Sequence, residues 1–240
     1  MAIYETSLTQ RETVAEGTMA FHFERPANFA HQAGQSVLVT LIDPPQTDSR
    51  GVSRTFTVAS APHEPELMIA TRMRDTAFKR VLKTAPLGTP VRIDGPNGVM
   101  VLHEDAARPA VLLAGGIGVT PFLSMARHAA KNRLGHRLYL FYSNRRPEDA
   151  AFLEELQGLE QSNPNFRLIA TMTEADKSSR PWTGETGVIR RDMLERYLPD
   201  LQTPVYYFAG PPGLTMAMQS MLDSFGISEN DMHSEEFYGY

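Results

Sequence analysis

Residues 110–125, Ala-Val-Leu-Leu-Ala-Gly-Gly-Ile-Gly-Val-Thr-Pro-Phe-Leu-Ser-Met, constrain this chain most. Five apolar residues, 110–114, predict a buried parallel strand. Glycines then fill three of four positions, Gly115, Gly116 and Gly118, and an apolar, helix-prone segment opens at Pro121. A strand, a tight glycine turn and a helix start make a place where backbone N–H groups can hold a pyrophosphate. Glycine serves there because a Cβ would keep the backbone off the phosphate oxygens. Pro121 suits the first helical turn, where its missing N–H goes unused.

Glycine turns also arise for packing alone, and this run departs from the dinucleotide fingerprint, with Pro121 where the third glycine belongs. The acidic residue expected about 20 positions later to bond a ribose hydroxyl is missing. The next apolar run, 137–142, ends instead in Ser143, Asn144, Arg145 and Arg146. A hydroxyl, an amide and two guanidiniums suit a 2′-phosphate better than a bare ribose, so NADPH is predicted ahead of NADH. The competing reading is two solvated arginines beside a helix, tolerant of either nucleotide. Glu148 and Asp149, past Pro147, are expected to cap that helix.

A length of 240 residues admits one large domain or two ordinary ones, and 42% hydrophobic with 21% charged residues sustain a packed core. A net charge of −5 argues against nucleic acid or an anionic membrane as a general partner. The chain has no cysteine, which excludes a disulfide framework, a thiol nucleophile and a cysteine-ligated iron–sulfur cluster within it. No secretory leader is visible and the longest apolar stretch is broken by Gly and Pro, so a cytoplasmic protein without a membrane span is expected. The seven histidines lack metal-ligand spacing, so no metal is expected, and no Ser/His/Asp set stands out.

The texture changes once along the chain. Runs 37–42, 53–58, 66–70 and 89–93 read as short strands separated by turn formers, with one helix over 76–83. That pattern predicts an antiparallel β-barrel over residues 1–103. From 109 to 240 strands at 110–114, 137–142, 166–171 and 204–208 alternate with helices at 121–131, 148–160, 190–197 and 212–225. Alternation of this kind predicts an α/β domain with a parallel sheet, whose ligands bind at the carboxyl ends of the strands. Three motifs fall at such ends: the glycine turn, residues 143–146, and Ala209-Gly-Pro-Pro-Gly213.

Taken in order, these pieces resemble the ferredoxin–NADP reductase-like superfamily of flavoprotein reductases, over nearly the whole chain. Arg54-Thr55-Phe56-Thr57 is similar to its flavin motif, Arg-x-Tyr-Ser/Thr. Gly95-Pro-Asn-Gly98 is similar to its strand-end turn. Gly115-Gly-Ile-Gly-Val-Thr120-Pro121 matches its nicotinamide-dinucleotide loop. Tyr207-Phe-Ala-Gly210-Pro211-Pro212 resembles its Cys-Gly-Pro motif, with Ala209 in the cysteine's place, and residues 234–240 resemble its closing strand. An arginine two residues before an aromatic on a strand shares its face. Arg54 can therefore meet a flavin phosphate while Phe56 covers the ring system.

The resemblance implies that Thr57 approaches the reactive flavin nitrogen, and that Thr76, as a helix N-cap, and Arg72 face the flavin pyrophosphate. A capped surface helix with solvated basic residues is the alternative for the last two. It also implies an acidic and an aromatic residue near the flavin face at the C-terminus. Among Glu235, Glu236, Phe237, Tyr238 and Tyr240, Glu236 and Phe237 are singled out; a core phenylalanine and solvated glutamates are the alternative. The implied protein binds FAD, ahead of FMN, and takes hydride from NADPH or NADH. It passes electrons to a separate ferredoxin, flavodoxin or oxygenase component. A free-flavin reductase and a non-catalytic redox-sensing module are the competing functions.

Overall fold

A polar N-terminal segment supplies the longest strand. The computed structural model describes residues 2–237. Its first half comprises β1 (Ala2–Ala15), β2 (Thr18–Glu24), β3 (Ser36–Leu41), β4 (Ser53–Thr57), β5 (Glu66–Arg72) and β6 (Pro90–Asn97), with α1 (Ala77–Thr84) between the last two. The strands are antiparallel, in the order β4-β3-β6-β1-β2-β5. β1 and β2 were not among the runs read as strands. In β1 only Leu8 is fully buried, so no apolar alternation marks it. Its hairpin to β2 turns at Gly17, whose φ of +66° favours glycine.

The sheet curls shut where the chain leaves β4. Ala59 N–H donates to the Met68 carbonyl at 2.7 Å, and Met68 N–H donates to Ser60 Oγ at 2.9 Å. Alternate residues Phe21 and Phe23, Val37 and Val39, and Val91 and Ile93 fill the interior with Phe78 and Leu82 of α1. The expected antiparallel barrel is thus present.

The second half holds β7 (Ala110–Gly115), β8 (Leu138–Asn144), β9 (Phe166–Met172), β10 (Glu185–Thr186), β11 (Val205–Gly210) and β12 (Met232–Glu236). Around them run α2 (Thr120–Asn132), α3 (Leu153–Ser162), α4 (Arg191–Tyr197) and α5 (Pro212–Asp223). All strand pairs are parallel, in the order β10-β9-β8-β7-β11-β12. Both faces of β7 and β11 are buried, which is why their sequences run apolar without alternation. The order reverses between β7 and β11, opening a crevice at their carboxyl ends. The two sheets join through residues 98–109; a domain division at 103–109 falls in this segment and stands as a proposal.

One expected helix differs. Instead of a helix over 148–160, a 3₁₀ turn covers Pro147–Asp149, Phe152 takes φ +60°, and α3 starts at Leu153. The carboxylates expected to cap it work elsewhere. Glu148 accepts from Ser178 and Ser179 at 2.7–2.9 Å, and Asp149 pairs with Arg146 and Arg72.

Helix α2 joins the halves. Phe122, Met125 and Ala126 belong to one core with Ala33, Ala59, Met68 and Ala70 of the barrel. Ser124 Oγ donates to the Ser60 carbonyl at 2.8 Å, with His31 Nε2 3.3 Å from the same oxygen. Gly34 permits the approach: a Cβ there would lie 2.0 Å from the Met100 carbonyl oxygen and 2.6 Å from Met125 Cε. Arg127, 17% exposed, bridges Glu155 of α3 and Glu64 of the barrel.

Two stability effects follow. Arg127→Ala leaves two partly buried carboxylates unpaired and is expected to cost about 3 kcal/mol, read as a fall in urea midpoint. His31 is pushed by burial from 6.5 to about 4. The native state therefore binds fewer protons than the unfolded one between those pH values. Stability is full above pH 6.5 and falls by about 3 kcal/mol as pH drops to 4. Urea midpoints of His31→Gln should lack this share of the acid loss.

Candidate functional site

A cavity of about 560 Å³ opens between the halves. The barrel contributes β4, β5 and the start of α1; the second half contributes the glycine turn, the start of α2 and β12. Of the residues singled out from sequence, Arg54, Thr55, Phe56, Thr57, Arg72, Thr76, Thr120, Glu236 and Phe237 line it. Arg50, Lys79, Ile117 and Glu235 line it too. Sequence reasoning gave no role to Arg50, Lys79 or Ile117. Lys79 carried a weak signal, standing three residues after the N-cap.

On β4 the period-two spacing places Arg54 and Phe56 together. The Arg54 guanidinium lies 5.4 Å and the Phe56 ring 5.8 Å from the Phe78 ring centroid. Arg54 Nη1 donates to the Arg50 and Ser53 carbonyls at 2.8 and 2.7 Å, which fixes its guanidinium at the cavity wall. Thr57 is buried, and its hydroxyl has no hydrogen-bond partner. A lone buried hydroxyl is costly unless something in the cavity bonds it.

The barrel end of the cavity is cationic. Thr76 caps α1, its Oγ accepting from Lys79 N–H at 3.4 Å. Lys79 Nζ donates to the Arg72 carbonyl at 2.6 Å. Burial, then the charges of Arg74, Arg54 and Arg50, push Lys79 down to about 8. Asp48 is the carboxylate among them, accepting from Ala77 N–H at 2.8 Å.

Arg72 reaches across to the second half, where its Nη2 lies 3.3 Å from Asp149 Oδ1. Asp149, 8% exposed, is also held by both sides of Arg146, at 3.0 and 3.1 Å. Arg146 continues to Glu16 of the β1–β2 hairpin at 2.8 Å. The residues expected at a 2′-phosphate are therefore dispersed. Arg146 is engaged by two carboxylates, Asn144 is buried, Ser143 is half-buried and Arg145 is exposed.

The glycine turn is a 3₁₀ turn over Gly116–Val119 leading into α2, with Gly116 at φ +53°. A Cβ on Gly118 would lie 2.2 Å from the Ala209 carbonyl oxygen, and one on Gly115 2.5 Å from Leu214 Cδ1. A Cβ on Gly210 would meet the Gly115 carbonyl oxygen at 3.2 Å. These glycines let the ends of β7 and β11 touch, so packing accounts for Gly115, Gly118 and Gly210. Gly115, Gly116, Gly118, Pro121, Ala209, Gly210 and Pro211 stand at the β7/β11 crevice and do not line the cavity.

β12 brings two glutamates beside β11, with Glu235 opposite Ala209 and Glu236 opposite Gly210. Their environments differ because neighbours on a strand face opposite ways. Glu236 is exposed and accepts from Thr215 Oγ1 at 3.2 Å. Glu235 has one oxygen buried without a partner, and burial pushes its carboxyl up to about 7. A proton can therefore be held and released there near neutral pH. Phe237 N–H donates to the Gly210 carbonyl at 2.9 Å, closing this edge. Tyr238 and Tyr240 lie outside the described residues.

A cationic end, an aromatic wall, an unbonded hydroxyl and a protonatable carboxyl fit a polar planar ring with an anionic tail, as in a flavin nucleotide. Among the described residues no group of three His, Asp or Glu side chains could hold a metal ion, and no helix is long and apolar enough to cross a membrane.

Known proteins are similar to this chain in sequence and fold. The oxidoreductase NAD-binding domain model matches residues 112–220. The glycine betaine monooxygenase reductase subunit of Chromohalobacter salexigens is 30% identical over 230 residues, covering 95% of this chain and 61% of that protein. This chain thus spans about three fifths of that relative's length. The FAD/NAD-binding domain of a Vibrio cholerae nitric oxide dioxygenase superposes with a TM-score of 0.83 at 18% identity, over 97% of this chain and 98% of that one. A ferredoxin NADP+ reductase from Neisseria gonorrhoeae, solved with FAD and NADP, gives 0.80 at 18% identity, covering 98% of each chain.

Two substitutions test the cavity without any ligand. Thr57→Val removes the unbonded hydroxyl and should stabilise the ligand-free chain by about 1 kcal/mol in thermal unfolding. Glu235 has its folded pKa raised from 4.5 to about 7. Its contribution to stability is present below pH 4.5 and lost as pH rises through 7. Glu235→Gln should therefore match the parent at pH 4 and exceed it by about 2–3 kcal/mol at pH 8.5.

Proposed function

We propose that this chain is a member of the ferredoxin–NADP reductase-like superfamily, an NAD(P)H-dependent flavoprotein reductase serving a separate electron acceptor. The observation that carries this reading is the shared cavity. There the residues of β4, Arg54, Phe56 and Thr57, face Glu235, Phe237 and Thr120 of the second half. The cavity takes the flavin, FAD ahead of FMN, and the β7/β11 crevice takes the nicotinamide nucleotide. Bound together, the two cofactors supply the hydride exchange.

The chain's own residues position and tune. Arg54 and the start of α1 hold the phosphate, and Phe56 packs on the ring. Thr57 offers the hydroxyl that finds no partner within the protein. Glu235, rather than the exposed Glu236, is the carboxyl that holds or yields a proton at the ring. α2 and β12 exclude water from one side.

NADH is the nucleotide we favour over NADPH: of the two guanidiniums after β8 on which the NADPH expectation rested, Arg146 is bound by Asp149 and Glu16, and Arg145 alone stays exposed to meet a 2′-phosphate. The acceptor is a ferredoxin, a flavodoxin or an oxygenase component. With no cysteine in this chain, a cysteine-ligated cluster on the electron path lies outside these 240 residues.

The test begins with purified protein, which should show flavin absorbance and oxidise NADH with ferricyanide as acceptor. A chain that neither carries nor binds FAD or FMN ends the proposal. Arg54→Ala should weaken flavin binding by about 10- to 100-fold, through loss of a charge-assisted phosphate contact. kcat/KM should be higher for NADH than for NADPH, and Arg146→Ala should leave that ratio unchanged. An NADPH preference lost in the variant would return Arg146 to the nucleotide site.

A further inference from the structure

We propose that Asp48 is an internal competitor for the flavin phosphate, its carboxylate standing where that anion must bind and so weakening flavin retention. The inference rests on the flavin reading above. Asp48 lies in the loop joining β3 to β4, in a tight turn closed by Gly51 N–H donating to the Asp48 carbonyl at 2.9 Å. Its Oδ2 accepts from Ala77 N–H, at the first residue of α1, at 2.8 Å. Its Oδ1 accepts from Arg50 N–H at 2.9 Å and lies 3.5 Å from Arg54 Nη2. A helix-start N–H, a loop N–H and a guanidinium make a donor set suited to a phosphate group.

The charge balance supports a stand-in. The charges of Arg74, Arg54 and Arg50 all act on Lys79 here, while Asp75 is paired with Arg80. Asp48 lies against that cluster, and the Ala77 and Arg50 N–H groups hold its carboxyl below the usual range, so it is ionised at neutral pH. Arg50 and Arg54, the residues Asp48 engages, line the same cavity as Thr57, whose buried hydroxyl has no hydrogen-bond partner. Two anions cannot share these donors without repulsion, so flavin must displace the Asp48 carboxylate or bind against its charge. Such a residue shifts the protein from permanent retention toward exchange of its flavin.

Asp48→Asn tests this, because an amide oxygen still accepts from the helix start while the charge is gone. Flavin-stripped protein is titrated with FMN, FAD and riboflavin, following flavin fluorescence. The variant should bind FMN and FAD at least about tenfold more tightly than the parent, with riboflavin, which lacks a phosphate, unchanged. Asp48→Ser, with its melting temperature measured beside the parent, provides the same loss of charge if the amide perturbs the loop. Unchanged or weaker FMN and FAD binding in a folded variant overturns the inference and leaves the flavin assignment standing. Equal tightening of riboflavin also overturns it, since the effect would not act through phosphate. A parent chain that binds none of the three flavins removes the flavin assignment itself.

Discussion

Burial of α2 on both sides is the constraint on which the site depends. One side of this helix packs on the parallel sheet, and the other packs against Ala33, Ala59 and Met68 of the barrel, outside the barrel's own core. Ser124 and His31 converge on the single carbonyl of Ser60, just after β4 at the cavity wall. Arg127 ties the same helix to Glu64 and Glu155. A cavity bounded by two sheets keeps its shape only if the sheets cannot slide, and close-packed contacts resist such sliding. The distance between the β4 wall and the β12 wall is therefore set by α2, away from the cavity itself.

A second link crosses nearer the site. Arg72 of β5, Asp149 after β8, Arg146 and Glu16 form a continuous run of opposite charges from barrel to α/β half and back. Asp149 is nearly buried, so its two arginines hold it in a defined place; a buried carboxylate without them would be strongly unfavourable. The network leaves Arg72 at the cavity wall and draws Arg146 away from solvent. Across the cavity the electrostatics change sign. The barrel end gathers cations, while Glu235 at the β12 end is isolated enough to take up a proton. The two ends of one pocket thus offer different surroundings.

Much of this was legible in the chain. The apolar run 110–114, the glycines after it and the alternation beyond mark a parallel sheet and its crevice, because strands buried on both faces must be apolar throughout. The face shared by Arg54 and Phe56 follows from strand geometry alone. Thr76 reads as an N-cap because its hydroxyl can satisfy a free helix-start N–H. β1 was hidden because its apolar residues do not alternate and only Leu8 among them is fully buried, its pairing with β2 and β6 being made by backbone groups that any sequence carries.

Sequence by itself determined the two textures, the order of motifs and which residues could bear charge or stack on a ring, because those follow from side-chain chemistry and local periodicity. The tertiary structure alone decided which charges are free. Arg146 looked available and is bound by Glu16, 130 positions away. Gly118 looked like a phosphate cradle and is required by the backbone of Ala209. Glu235 and Glu236 are neighbours of identical chemistry, and only the packing of β12 against β11 buries one and exposes the other. Charge pairing, close approach and desolvation are long-range in sequence and short-range in space, so the fold must exist before they can be read.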